Sequence, residues 1–271
     1  MQQLFRQIDK DRELVYAWFE AMHTRIDLVL WDTGEADRLS CAVQAIEEET
    51  RRIERMGSRF LPYSEVSRIN DAAPGCPVCV SDELCALLAR CLDYRQRWGG
   101  LFDVTACEGV SCRLEEQRLS VCAPYVARAD ETVRIDLSGC LKGYALDRAV
   151  SLLRKQGIGN GLLSFGNSSV FALGNHPKGE GWMVAEADSP DRRHVLHDEC
   201  LTTSGNNTES RRHIVHPLTG RMVEGRHTAS VVTRSGEEGE VLSIVKFLSD
   251  SLSASFQDKI ETGCIRLNQK K

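Results

Sequence analysis

Residues 23–31 (HTRIDLVLW) alternate between polar and apolar positions, the period of a strand with one buried face. The pattern then changes. Leu39, Val43, Ile46, Ile53 and Met56 recur every three, four or seven residues among charges, which predicts a helix over 35–57. Residues 62–70 (PYSEVSRIN) read as a loop or short turn. Ser81 is placed to cap a helix over about 82–98, which Gly99 and Gly100 end. Residues 101–109 (LFDVTACEG) read as a short strand or an extended loop, and 117–137 as a hairpin whose second arm is TVRIDL. A helix over 142–156 stops at Gly157. Three short strands follow, GLLSF, SVFALG and WMVAEA, with Asn167 and Gly174-Asn175 at their turns. Residues 200–235 read as further strand and loop, 239–256 as an apolar helix, and GCIRL as a closing strand. Hairpin-type connections between irregularly spaced helices favour an antiparallel-rich α+β fold over a doubly wound parallel sheet. No linker-like stretch divides the 271 residues, so a single domain over 1–271 is expected.

Charge narrows the partners. With 34 basic and 39 acidic residues the net charge is −5, which argues against a broad nucleic-acid face. No apolar run is long enough to span a membrane. The first 28 residues are charged throughout and show neither a signal-peptide core nor a lipid-attachment Cys, so the expected location is the cytoplasm. Eleven cysteines, an odd count, suit free thiols better than a disulfide framework. Cys76-Pro-Val-Cys79 lacks a second pair at zinc spacing and reads as incidental thiols. His194 and His197 read as polar loop residues. Trp18, Trp31, Trp98 and Trp182 read first as core or core-edge residues.

One segment raises a chemical question. DLSGCLKGYALD (136–147) places two glycines and a lysine where the pattern passes from strand to helix. A helix start offers unpaired N–H groups and the positive end of a dipole. Glycine admits close backbone approach, and the Lys142 ammonium suits phosphate. The segment is neither a Walker A loop nor a dinucleotide-fold turn, because it lacks both glycine spacings. Taken alone it is first an ordinary turn with a glycine cap.

Six other segments change that balance. MHT (22–24) resembles Met-Gly-Thr, SEVSRIN (64–70) resembles Ser-Glu-x-Ser-x-x-Asn, and GGLFDVT (99–105) resembles Gly-Gly-x-Phe-Asp-Pro-Thr. The glycine–lysine segment resembles Asp-Leu-Gly-Gly-x-Ala-Lys-Gly-Tyr-x-x-Asp. SFGNSSVFALG (164–174) resembles a strand, Gly-Gly-Asp, strand unit. TSGN (203–206) and HIVHPLTG (213–220) resemble Thr-Ser-Gly and His-Ile-x-Asp-Pro-x-Thr-Gly. In this order, over about 21–250, the seven resemble the FAD:protein FMN transferase (ApbE) family.

The resemblance implies an α+β fold of T-fold-like units with packed helices. It also implies FAD as substrate or bound ligand, an acceptor protein with a Ser/Thr flavinylation motif, and a magnesium ion. Such a protein moves the FMN half of FAD to the acceptor hydroxyl and releases AMP. By the same resemblance His213 handles the hydroxyl proton and Lys142 sits by the phosphates. Met22, Asn70, Asp103, Thr105, Asp136, Ser138, Gly139, Asp147, Gly166, Asn167, Ser204 and Gly205 contact the dinucleotide. A carbonyl at Leu141 helps hold the metal.

The chain departs from the pattern at the metal. Family members carry Asp-Ala-Leu-x-Thr, whose Asp and Thr share a helix face as ligands. Here Glu240 stands for the Asp and Ile244 for the Thr, with Ser243 a substitute hydroxyl on roughly the same face. His216 replaces an aspartate, and His23 the glycine of the first motif. Two alternatives follow: an FAD-holding homologue without transferase activity, and an FAD pyrophosphatase giving FMN and AMP.

Overall fold

A computed structural model describes residues 1–8, 12–33, 36–186, 189–206, 214–224 and 227–249. Three strands open the chain: β1 (Gln2–Gln7), β2 (Arg12–Ala21) and β3 (Thr24–Thr33). Neither β1 nor β2 is among the predicted elements. In β2 the inward positions are Val15, Ala17, Phe19 and Ala21, and in β3 they are Ile26, Leu28 and Leu30, all buried. Met22 and His23, both at positive φ, make the two-residue turn between them, so the strand predicted from 23 begins at Thr24.

Helix α1 (Ala36–Gly57) buries the predicted apolar stripe. Next comes α2 (Glu65–Asp71), where a loop or short turn was expected. Ser64 caps it by accepting a 2.9 Å bond from Ser67 N, while Val66 and Ile69 turn one apolar side inward. After β4 (Val78–Cys79), α3 (Asp82–Arg97) starts as expected at Ser81, whose hydroxyl accepts from Leu84 N at 3.2 Å.

The expected hairpin is β5 (Leu119–Cys122) with β6 (Tyr125–Arg128), and its second arm is YVAR rather than TVRIDL. Residues 132–137 alternate like a strand, but other partners take their backbone. Ile135 exchanges two hydrogen bonds with the Asn70 side chain, and Asp136 N donates to Val104 O. Residues 101–109 form turns and an isolated bridge at Cys107–Val110, not a strand.

The second half runs α4 (Leu141–Lys155), β7 (Gly161–Phe165), β8 (Ser169–Leu173), β9 (Trp182–Glu186) and β10 (Ser189–Leu196). It continues with β11 (Glu199–Asn206), β12 (Val215–His216), β13 (Arg221–Met222), β14 (His227–Thr233) and α5 (Gly236–Ser249). Helix α5 starts three residues before the predicted 239. The remainder of that prediction and the closing GCIRL strand lie outside the described residues.

Seven strands form one fully antiparallel sheet in the order β1-β2-β3-β7-β8-β11-β14. Helices α1, α4 and α5 cover one face and enclose the main core. The β9–β10 hairpin covers part of the other face over a small core of Ala172, Trp182, Val184, Leu196 and Leu201. The fold is α+β and antiparallel-rich, as the sequence predicts. Among the described residues no helix is long and apolar enough to cross a membrane.

Candidate functional site

The glycine–lysine segment forms a tight corner. Asp136 accepts from Ser138 N at 2.9 Å and from the Ser138 hydroxyl, and pairs with Arg59 at 2.7 Å. Helix α4 then begins at Leu141 with its N-cap Cys140 making no side-chain cap bond. The buried Cys140 and Cys91 sulfurs lie 3.8 Å apart, and their contact together with burial raises the Cys140 thiol pKa. Residue 143 must be glycine because a Cβ there would collide with the Gly236 carbonyl, where α5 crosses.

That crossing places the first turns of α4 and α5 side by side. Asp147, one turn farther along α4, caps α5 from outside. Its carboxylate accepts from the Ser235 hydroxyl at 2.6 Å, Gly236 N at 2.6 Å and Glu237 N at 3.0 Å. Burial raises its pKa while these donors pull it down.

Lys142 projects from the first turn of α4, and its Nζ lies 3.1 Å from Glu240 Oε1 on α5. The same oxygen accepts from the Ser169 hydroxyl at 2.8 Å. Glu240 is 4% exposed, and its Oε2 has no hydrogen-bond partner. One turn on, the Ser243 hydroxyl donates to the Glu240 carbonyl at 3.0 Å and lies 2.7 Å from the Ser204 hydroxyl on β11. A Cβ on Gly139 would lie 3.0 Å from Ile244 Cδ1, so the isoleucine faces the glycine corner.

Two sequence-distant turns and the last residues of β11 line up along one end of the sheet beside this corner. Gly166, at positive φ, has Thr24 against its Cα and donates its N–H to Arg25 O at 3.0 Å. Asn167 is also at positive φ. Thr203 N donates to Ser168 O at 2.8 Å, which brings Ser204-Gly205 alongside. The row therefore passes from Met22 through Gly166-Asn167 to Ser204, and on to Ser243, Glu240 and Lys142. Beneath the β2–β3 turn a cleft of 560 Å³ is lined by Met22, His23, Thr24, Arg51 and Glu54 among others. Glu54 Oε1 accepts from Met22 N at 2.9 Å.

Other residues of the expected set serve the frame around that row. Asn70 is buried on the Ile135 peptide. Asp103 pairs with Arg95 at 2.7 Å, both nearly fully buried, and accepts from Thr105 N and Oγ1. Thr105 Oγ1 accepts in turn from Arg118 Nε at 2.8 Å. His213, the expected proton-handling group, lies outside the described residues. His216 ends β12, just before a turn that packs on residues 109–112; its Nδ1 is buried without a partner, and burial lowers its pKa.

Sequence reasoning missed Ser169, Arg59 and Ser235. Ser169 had a signal. In β8, residues 169, 171 and 173 share an inward face, so a serine in that row has to find a polar partner inside. Cys76 and Cys79 are exposed free thiols. His194 lies on β10 rather than in a loop, 3.0 Å from Glu186 across the hairpin. None of the four tryptophans is at the corner. Trp182 is buried in the small core, Trp18 stacks on Tyr16, Trp31 bonds the Asn175 carbonyl and Trp98 packs on the main core.

Comparison with known proteins bears on the family and the fold. The chain is 26% identical over 227 residues to an FAD:protein FMN transferase of Chlamydia muridarum, covering 73% of this chain and 71% of that one. A Chlamydia trachomatis protein of the same name is 27% identical, covering 70% of each chain. Both relatives are, by name, enzymes. The structure of flavin transferase ApbE from Vibrio cholerae matches the fold with a TM-score of 0.78 at 20% identity, over 94% of this chain and 92% of that one. The ApbE protein of Thermotoga maritima gives 0.76 at 20% identity, over 94% and 97%. The profile of the ApbE family matches residues 22–255, from the β2–β3 turn past the end of α5, and the chain belongs to that family.

Proposed function

We propose that this chain transfers the FMN moiety of FAD to a Ser or Thr hydroxyl of an acceptor protein. The acceptor oxygen bonds to the FMN phosphorus as the bond from that phosphorus to the bridging oxygen breaks. AMP leaves with the bridging oxygen, and the hydroxyl proton passes to a base, the role the family resemblance gives to His213. Such a reaction asks little covalent chemistry of the protein and much positioning and charge stabilisation.

The observation that supports this most is the convergence of the Met22, Gly166-Asn167, Ser204-Gly205 and Lys142 segments along one end of the sheet. At its α4 end the row offers the Lys142 ammonium beside a helix N-terminus, which suits a diphosphate. Met22 and the 560 Å³ cleft would take one end of the ligand.

The resemblance also implies magnesium at Leu141, Glu240 and Ser243. The residues present do not fit that ion. Glu240 Oε1 is held by Lys142 and Ser169, the Ser243 hydroxyl by Ser204 and the Glu240 carbonyl, and Ile244 offers no donor. Among the described residues no three His, Cys, Asp or Glu side chains come together as a metal cluster. No step is therefore assigned to a metal.

The test is covalent flavin transfer. The protein is incubated with FAD and an acceptor domain carrying the Ser/Thr motif, then run on a denaturing gel and read by flavin fluorescence. A fluorescent acceptor band is expected, and none when the acceptor Ser/Thr is changed to Ala. FAD bound but never consumed would support the second reading, an FAD-holding homologue. The engagement of Glu240 and Ser243 with protein partners favours that reading. FMN and AMP released without acceptor would identify a pyrophosphatase.

A further inference from the structure

We propose that the Lys142 ammonium is the permanent counter-charge of Glu240, and that this corner takes a dinucleotide diphosphate without a divalent cation. The second half rests on the FAD reading above; the first does not.

A carboxylate charge buried as deeply as Glu240 calls for a matching cation. In this chain the match comes from within, from Nζ of Lys142 at 3.1 Å, with Ser169 completing the same oxygen at 2.8 Å. Glutamate is what makes this reach possible. Its side chain is one methylene longer than aspartate and extends from α5 to both β8 and the first turn of α4. A divalent ion would have to enter at Oε2, the one carboxylate oxygen without a partner. There it would lie close to the ammonium, in a part of the protein where like charges are poorly screened.

The remaining donors do not compensate. Magnesium asks for near-octahedral oxygen coordination at about 2.0–2.1 Å. Ile244 brings a methyl group to the Gly139 corner, and the Ser243 hydroxyl is engaged with Ser204. Glu240 and Ile244 therefore act together: the first binds the internal cation and the second removes a ligand. Lys142 keeps 25% of its side chain exposed, which leaves it open to an incoming phosphate.

Two measurements on the full chain test this. Mn²⁺, which takes the same oxygen donors, is titrated in and free Mn²⁺ is read by electron paramagnetic resonance, with and without FAD. No stoichiometric uptake is expected from the natural chain, whereas Glu240→Asp combined with Ile244→Thr is expected to take up one ion per chain. If that pair does not fold by circular dichroism, Lys142→Met replaces it with the same expectation. Stoichiometric uptake by the natural chain that Glu240→Gln abolishes would overturn the proposal. So would a folded variant that takes up no ion, because these residues would then not be what excludes it. In the second measurement, FAD affinity is compared in magnesium and in chelator, and is expected to agree within about twofold. A fall of tenfold or more in chelator would overturn the metal-free diphosphate site. Failure to bind FAD in either buffer would remove the flavin reading and the metal-free diphosphate site with it, while the Mn²⁺ titration still decides the Lys142–Glu240 pairing.

Discussion

Asp147 looks, by sequence position, like a ligand contact, yet its carboxylate is fully engaged by the start of another helix. Three donors from residues 235–237 converge on it, two of them main-chain N–H groups that α5 itself cannot satisfy. Asp147→Ala should therefore lower stability by about 1–3 kcal/mol, the cost of a lost cap and two unmatched N–H groups. Asp147→Asn, which keeps one oxygen acceptor, should cost less. Urea unfolding of the two variants checks this, and equal stability in Asp147→Ala and the natural protein would refute the capping role. The same lesson holds for Asn70 and Asp103. Their types and places in the motifs could be read along the chain, but their partners, the Ile135 peptide and Arg95, lie 65 and 8 residues away. Motif residues that look alike in sequence thus divide into a row along the end of the sheet and a frame of buried hydrogen-bonding residues around it. Only the packing draws that line.

At the level of elements, the helices were legible where an apolar stripe runs for several turns, as in α1, α3 and α4. Helix α2 was not, because seven residues hold too few repeats to establish a period. The 132–137 segment misled in the opposite way. Its alternation is real, but a side chain rather than a neighbouring strand satisfies its backbone. The long helices are also tied by charge. Glu49 on α1 pairs with Arg52 at 2.8 Å and with Arg148 of α4 at 3.0 Å, and Arg52 continues to Glu83 of α3 at 2.8 Å. The Arg52 hydrogen bonds, aided by Arg148 and opposed by burial, hold the Glu49 carboxyl down at about 2, against an ordinary 4.5. A carboxyl depressed in the folded state stabilises the fold above its unfolded pKa, and that contribution is lost as pH falls toward the folded value. Part of the acid sensitivity between about pH 4.5 and 2 should then belong to Glu49. Glu49→Gln should be less stable than the natural protein at pH 7 and should lose less on acidification. Thermal melts at a series of pH values in this window check the difference in slope, and parallel curves would count against it.

Across the whole molecule, the sheet order β1-β2-β3-β7-β8-β11-β14 brings together turns that no local pattern relates. Antiparallel pairing was legible from the turn residues, but the adjacency of β3 with β7 and of β8 with β11 was not. The first spans α1, α2 and α3 with the small β4-β6-β5 sheet, inserted as a block between β3 and α4, and the second spans the β9–β10 hairpin. That adjacency builds the row of candidate residues along one end of the sheet and leaves the two faces with different tasks. One face carries α4 and α5, and so Lys142 and Glu240; the other carries the small core under the β9–β10 hairpin. Trp182 is 4% exposed there and donates its indole N–H to Leu173 O at 3.0 Å. Trp182→Ala should cost about 3–5 kcal/mol of stability through the cavity it leaves. Because the sheet separates it from the corner, FAD affinity in the still-folded variant should change by no more than about twofold, as for independent sites. Urea unfolding and a flavin fluorescence titration on the same preparation read both quantities. A large loss of affinity alongside the loss of stability would mean that the sheet transmits packing on its outer face to the corner, and that the two faces act as one unit.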